Sequence, residues 1–96
     1  MPMNYRLMRP RQRKSRPGAP TITQAVETFS IDWLPPASDG GSPITTYRVY
    51  VDGVLFETIT APDTSSVDSA PGGSVVQVSA VNAVGEGPKS TAVIVA

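Results

Sequence analysis

The chain has 96 residues with neither cysteine nor histidine, and its eight basic and eight acidic residues cancel to a net charge of zero. This length suits one domain. The missing cysteines exclude a disulfide framework and thiolate metal sites, and the missing histidines remove the usual general base, zinc ligand and near-neutral pH switch. No apolar run approaches the roughly 18 residues of a membrane span.

The charges separate at Pro17–Gly18. Residues 1–18 carry six basic residues and no acidic residue, whereas residues 19–96 carry two basic and eight acidic residues. Such asymmetry indicates attachment to a partner, because a basic segment is attracted to phosphate or to acidic protein surfaces. We therefore divide the chain into a basic N-terminal arm, residues 1–18, and an acidic body, residues 19–96.

The arm combines apolar and basic residues. Its prolines disfavour a continuous helix. The alternation of Met3, Tyr5 and Leu7 has the period of a strand, so this stretch is suited to pairing with the sheet edge of a partner. Its apolar residues precede its basic ones, which is the reverse of a secretory signal. We expect the chain to stay in the compartment where it is made, with a fragment that has lost its signal as the alternative.

The body consists of short alternating runs separated by turn residues, and nothing in it indicates a helix. Seven strands at this spacing predict an antiparallel β-sandwich. The predicted strands are Thr21–Val26, a run containing Phe29, Ile31 and Trp33, then Ile44–Val51, Val54–Thr60, Ser65–Ser69, a run containing Val76, Val78 and Ala80, and a run containing Val93 and Val95.

Asp52–Gly53 predicts a hairpin between the third and fourth strands, because a type I′ turn needs two residues with positive φ. A two-residue loop fixes the register. On one face the expected pairs are Val51–Val54, Val49–Phe56 and Tyr47–Thr58. On the other face, the expected pairs are Tyr50–Leu55, Arg48–Glu57 and Thr46–Ile59. The Arg48–Glu57 pair is expected to be a solvated ion pair worth well under about 1 kcal/mol.

From about residue 17 to 96, the sequence resembles the fibronectin type III family. The resemblance rests on the order and spacing of several short features together. These are Pro17-Gly18-Ala19-Pro20, Trp33 with Pro35–Pro36, the run Asp39 to Ile44 followed by Tyr47 and Val49, and Val76 to Asn82 followed by Gly85-Glu86-Gly87-Pro88 and Ser90. The resemblance implies a seven-stranded sandwich with Trp33, Tyr47 and Val78 near the centre of the core, and it implies no catalysis.

One departure from the family concerns the turn at Pro71-Gly72. The family usually has a leucine before this turn and a tyrosine after it, and those positions are Ala70 and Ser74 here. Losing two large core side chains typically costs several kcal/mol unless neighbours repack. We therefore predict either a body of marginal stability or a partner that covers this end of the sandwich.

The polar residues of the body are expected to form turns rather than a catalytic site. Its serines and aspartates concentrate in loops, where their side chains commonly bond to the backbone. Asp39, Asp63 and Asp68 are oxygen ligands of the kind that calcium takes, but no dense Asp-x-Asp series exists. Trp33 is expected in the core rather than stacked on a sugar or base. We expect no enzymatic activity, no catalytic residue, no cofactor and no metal.

The arm has three interpretations: a solvated tail, a phosphate-binding arm and a protein-docking arm. The acidic body and the single aromatic residue of the arm disfavour nucleic acid. The docking interpretation is favoured, because arginine suits bidentate contacts with carboxylates. The expected partner-binding residues are the apolar anchors Met3, Tyr5, Leu7 and Met8 and the basic residues Arg6, Arg9, Arg11, Arg13, Lys14 and Arg16.

A sandwich that lacks an export signal and carries a docking arm fits an accessory subunit of a large assembly. The most concrete case is a tailed-bacteriophage virion, assembled in the host cytoplasm, with capsid or tail proteins as partners. There the loops Pro36–Pro43 and Asn82–Pro88 would face solvent or a host surface. One alternative is a spacer or adhesion module of a secreted bacterial enzyme or surface protein. A second alternative is nucleic-acid binding through the arm.

Overall fold

The computed structural model describes residues 14–26, 31–66 and 70–96, and these residues form seven strands and no helix. The strands are β1 Thr21–Ala25, β2 Ile31–Leu34, β3 Thr46–Val51, β4 Val54–Thr60, β5 Ser65–Ser66, β6 Val75–Val81 and β7 Val93–Ile94. Six predicted strands contain the observed ones, and β6 begins one residue before Val76. Phe29 and residues 67–69, which two of the predictions included, lie outside the described residues.

The strands form two antiparallel sheets. One sheet has the order β1-β2-β5 and the other the order β4-β3-β6-β7. This is the predicted seven-stranded antiparallel β-sandwich. The loop end of the sandwich carries residues 35–45 and 82–92, and the opposite hairpin end carries Asp52–Gly53 and residues 71–74. Across the gap between the sheets, β1 contacts β6 and β7, whereas β4 contacts β5.

The core lies where the alternating apolar positions of the two sheets meet. Trp33 of β2 and Tyr47 of β3 are buried there, with ring centroids 5.5 Å apart in an edge-to-face arrangement. Val78 is also buried, which confirms the predicted core centre. Trp33 is therefore a packing residue, and its indole Nε1 has no hydrogen-bond partner among the described residues.

The predicted register of the β3–β4 hairpin is wrong beyond its first two pairs. Val51 pairs with Val54 and Tyr50 with Leu55, but Val49 then pairs with Glu57, so that Phe56 is an extra residue in a β-bulge. A bulge reverses the faces of every later residue of the strand. Glu57 consequently faces the other sheet, where its carboxylate accepts a hydrogen bond from the Ser66 hydroxyl of β5.

Ala70 and Ser74 are both buried at the hairpin end, in spite of their small side chains. Val95 lies against this corner. Its N–H donates to Ser74 O, its carbonyl accepts from Gly73 N–H, both at 2.9 Å, and its side chain is buried.

Marginal stability remains a prediction. We expect a thermal unfolding midpoint below the range of about 45–65 °C of ordinary mesophile domains, and a midpoint within that range would contradict it.

Candidate interaction surfaces

The described part of the arm packs against the loop end. We call Ser15–Gly18 the arm root. Ser15 N–H donates to Gly40 O at 2.8 Å, Gly18 N–H donates to Ser38 O at 3.0 Å, and Pro17 is fully buried. Lys14 and Arg16 are exposed. The other predicted partner-binding residues (Met3, Tyr5, Arg6, Leu7, Met8, Arg9, Arg11 and Arg13) lie outside the described residues, so their role stays a prediction, as does the domain boundary at residue 18.

Asn82 joins the arm root to both loops. Its side-chain amide donates to Ser15 O at 2.7 Å and to Asp39 O at 2.8 Å. Its side-chain carbonyl accepts from Val84 N–H and Gly85 N–H. Asn82 is buried, and each of these bonds satisfies a polar group that would otherwise be costly to bury. Sequence reasoning placed Asn82 in a loop but missed this role; the asparagine three residues before a glycine was the available signal of an Asx turn.

Two glycines let the arm root approach the loops closely. A Cβ atom added to Gly40 would lie 2.1 Å from Ser15 O, and one added to Gly87 would lie 2.0 Å from Pro17 O. Any side chain at either position would therefore displace the root. The two loops that were expected to face solvent or a host surface are thus partly covered by the chain itself, although the outer residues of each, such as Asp39 and Val84, remain exposed.

The outer face of the four-stranded sheet carries a polar cluster centred on Glu86. Arg48 Nη1 donates to Glu86 Oε1 at 2.8 Å, and the hydroxyls of Tyr50 and Ser79 donate to Oε2. Lys89 Nζ lies 4.1 Å from the centroid of the Tyr50 ring, a cation–π contact. The predicted Arg48–Glu57 pair is therefore wrong: the bulge turns Glu57 inward, and Arg48 pairs with Glu86 instead.

This cluster shifts the ionisation of its members. Burial opposes the charge on Glu86, but hydrogen bonds from Ser79, Tyr50 and Arg48, with the charge of Arg48, outweigh it and hold the pKa of Glu86 below its ordinary value. Burial and the neighbouring Glu86 carboxylate raise the pKa of Tyr50. At neutral pH the cluster therefore contains a carboxylate fully engaged by donors, which suits a structural tie rather than a catalytic base.

Asp39 and Ser38, in the loop between β2 and β3, bond locally, as expected for turns. Asp39 Oδ1 accepts from Gly41 N–H at 2.8 Å, and Ser38 Oγ accepts from Gly40 N–H at 3.1 Å. Within residues 14–26, 31–66 and 70–96, no three His, Cys, Asp or Glu side chains come together as metal ligands. Nor does that part of the chain contain a helix long and apolar enough to cross a membrane.

The edge strand β4 exposes three consecutive apolar side chains. Val54 is 68%, Leu55 50% and Phe56 43% exposed, and β4 is the last strand on its side of the sheet. Contiguous exposed apolar residues on an unpaired strand are typical of interaction sites. Sequence reasoning missed this surface, because the predicted register paired Phe56 with Val49, on the same face as the expected core residue Tyr47.

No protein-family model matches the sequence, and no curated protein matches it. Solved structures do. The crystal structure of domains A168-A170 from titin matches 84% of this chain at 21% identity, with a TM-score of 0.52. The structure of titin kinase and its flanking domains matches 84% of this chain at 21% identity, with a TM-score of 0.58. This chain spans only 32% and 17% of the lengths of those two.

A further match is the solution structure of the 6th fibronectin type III domain from human fibronectin type III domain containing protein 3. It is 24% identical, covers 90% of this chain and 87% of that one, and has a TM-score of 0.49. At these identities, the titin likenesses bear on the fold alone. Together with the two antiparallel sheets, they show that the chain has the fold of a fibronectin type III-like, immunoglobulin-like β-sandwich.

Proposed function

We propose that this protein is a non-catalytic structural module that the N-terminal arm attaches to the protein subunits of a larger assembly. The observation that carries the proposal is the arm root. Ser15 and Pro17 are held between the two loops of the loop end, so that residues 1–13 are joined to the body at a fixed junction. Fibronectin type III-like domains are generally interaction or structural modules, which is consistent with this role.

The assembly that we propose is a tailed-bacteriophage virion, in which the protein would be a capsid decoration, cement or tail-surface subunit. Capsid or tail proteins would then be its partners, and assembly would take place in the host cytoplasm. Support comes from the opposite charges of the two parts of the chain. Six basic residues in the first 18 can pair with acidic subunits, while the acidic body is repelled from the same surfaces.

The test is deletion of residues 1–13. The cut leaves Lys14–Gly18 in place, because removal of Ser15 or Pro17 would disturb the loops rather than test the arm. The structural genes that neighbour the gene of this protein are expressed so that particles assemble. Tagged full-length protein or the tagged deletion variant is supplied during this assembly. The full chain should sediment with the particles, and the deletion should reduce this at least about tenfold.

The surface variant Leu34→Ala, which leaves the arm intact, is the control and should be incorporated like the full chain. Equal incorporation of the deletion variant would contradict the docking role. If the full chain instead retains a DNA duplex on a gel and the deletion variant does not, the arm is a nucleic-acid arm. The proposal of a bacteriophage virion fails if no gene for a capsid, portal or tail protein neighbours the gene of this protein.

A further inference from the structure

The edge strand β4 lacks most of the features that protect natural sheet edges from pairing. Such edges usually carry lysine, proline or outward charges. Residues 54–60 contain no basic residue and no proline, and their single charged residue, Glu57, is turned inward onto Ser66. The bulge at Phe56 is the one protective feature. With Val54, Leu55 and Phe56 exposed beside it, this edge is suited to receiving another strand.

The chemistry around β4 defines what kind of strand fits. The apolar stretch Val54–Phe56 would pack best against apolar side chains of an added strand. Asp52 and Asp63 are exposed and flank β4 at its two ends. A matching strand is therefore apolar at alternate positions and basic beside them. Residues 3–8 of the arm alternate in this way at Met3, Tyr5 and Leu7, and the basic residues Arg9 and Arg11 follow directly beside them.

We propose that β4 receives residues 3–8 of the arm of a second copy of this chain, by strand addition to the four-stranded sheet. This inference rests on the proposed function, and it adds a neighbouring copy of this chain to the partners that the arm binds. Backbone hydrogen bonds along β4 supply affinity, and the apolar contacts with Val54–Phe56 supply register. Because the arm and the edge are different surfaces, the contact is heterologous and builds a ring or an open chain of copies.

A second copy fits better than the same molecule. The arm root leads directly into β1, which lies over β6 and β7, whereas β4 is at the other side of the sandwich beside β5. The root is at the loop end, where β4 finishes. A direct run of the arm back along its own β4 would therefore be parallel to that strand. The arm of a neighbour is free to pair antiparallel, which is the more stable arrangement.

The first test is the oligomeric state of the full chain, measured by sedimentation between about 10 µM and 1 mM, the range of weak strand addition. We expect concentration-dependent association. Deletion of residues 1–13 or Leu55→Lys should weaken it at least about tenfold, since each removes one side of the contact. Leu34→Lys is the matched control: Leu34 on β2 is 55% exposed, against 50% for Leu55, and should not alter association.

The second test uses the absence of native cysteine. Leu7→Cys and Leu55→Cys are made in separate chains and mixed under oxidising conditions. A disulfide between the two chains should form at least about ten times faster than in a mixture of Leu7→Cys with Leu34→Cys, because only the first pair meets in the contact.

Each other outcome overturns the inference. A chain that is monomeric at all concentrations has no self-contact, while particle incorporation that depends on the arm would still uphold the proposed function. Association that survives deletion of residues 1–13 means pairing of β4 with β4. Equal disulfide rates with Leu55→Cys and Leu34→Cys mean random collision. If one chain carrying both Leu7→Cys and Leu55→Cys stays monomeric and joins the two introduced thiols in an internal disulfide, the arm folds back on its own body.

Discussion

Each end of the sandwich is closed by a segment that does not belong to a strand. The arm root closes the loop end, and Val95, which follows β7, closes the hairpin end, but the two segments do so in different ways. At the loop end, the arm root lies backbone against backbone on Gly40 and Gly87, with no space for a Cβ atom. At the hairpin end, Val95 forms backbone hydrogen bonds with Gly73 and Ser74 and places its own side chain in the core.

Small residues therefore have different meanings at the two ends. Gly87 is small because a neighbouring backbone carbonyl occupies the place of its side chain. Ala70 and Ser74 are small and buried, and there the side chain of Val95 lies in the core beside them. At the loop end, a larger residue in place of glycine should lower the free energy of unfolding. At the hairpin end, loss of the covering Val95 side chain should lower it.

The largest effect is expected from Asn82→Ala, which opens the loop end. It removes four side-chain hydrogen bonds of a buried residue and leaves their partly buried backbone partners without the amide, so we expect the free energy of unfolding to fall by about 3 kcal/mol. Chemical denaturation measures this. Gln77→Ala is the control, since the Gln77 amide donates one hydrogen bond among the described residues, to Ser90 O, and its loss should cost about 1 kcal/mol. Equal losses in the two variants would rule out Asn82 as the residue that joins the loops.

Gly87→Ala tests the close approach of the arm root. Gly87 is not in the left-handed region, so the added methyl acts only through its contact with Pro17 O. We expect a loss of about 2 kcal/mol and faster tryptic cleavage at Lys14–Ser15 in the native state. Gly18→Ala, whose Cβ would meet its nearest neighbour at 3.6 Å, should change neither. If Gly87→Ala leaves the cleavage rate unchanged, the root does not lie on this glycine.

Val95→Ala tests the closure of the hairpin end. Removal of two buried methyl groups should cost about 1.5 kcal/mol, with some additional loss from the cavity. Ile94→Ala, at an exposed neighbouring position, should cost less than about 0.5 kcal/mol. Both are measured by thermal or chemical unfolding. Should the two variants lose equal stability, Val95 does not cover the corner at Ala70 and Ser74.

The smallest effect is expected from Glu86→Gln, on the sheet face between the two ends. At pH 7 the loss should stay below about 1 kcal/mol, because the ion pair with Arg48 is partly exposed. The pKa of Glu86 is lowered in the folded state, so its contribution is complete above the ordinary pKa of 4.5 and disappears as the pH falls through the folded value. The difference between the two proteins should therefore shrink as the pH falls below the ordinary pKa of 4.5, as measured by denaturation midpoints. A difference that stays the same from neutral pH down to this acidic range would contradict this.

The parts of the fold that could be predicted depend on neighbours in the sequence. The alternation in Val75–Val81 and the Asp52–Gly53 turn were sufficient for strands, hairpin and fold class. The register was not predictable from the turn alone, because the bulge at Phe56 goes together with a contact between Glu57 and Ser66, which lies on the other sheet. The same bulge decided which partner Arg48 takes, and it brought Phe56 out to the surface.

By itself, the sequence determined an all-β chain with a basic arm and an acidic body, since period, turn chemistry and charge are properties of short segments. Only the tertiary structure decided that Ser15–Pro17 belong to the loop end, that Asn82 joins three segments and that β4 is an open apolar edge. Those features arise from groups that are far apart in the chain and meet only after the two sheets have packed. The free energies of these contacts depend on which atoms the fold brings within hydrogen-bond distance. A pattern of neighbouring residues in the sequence does not contain that information.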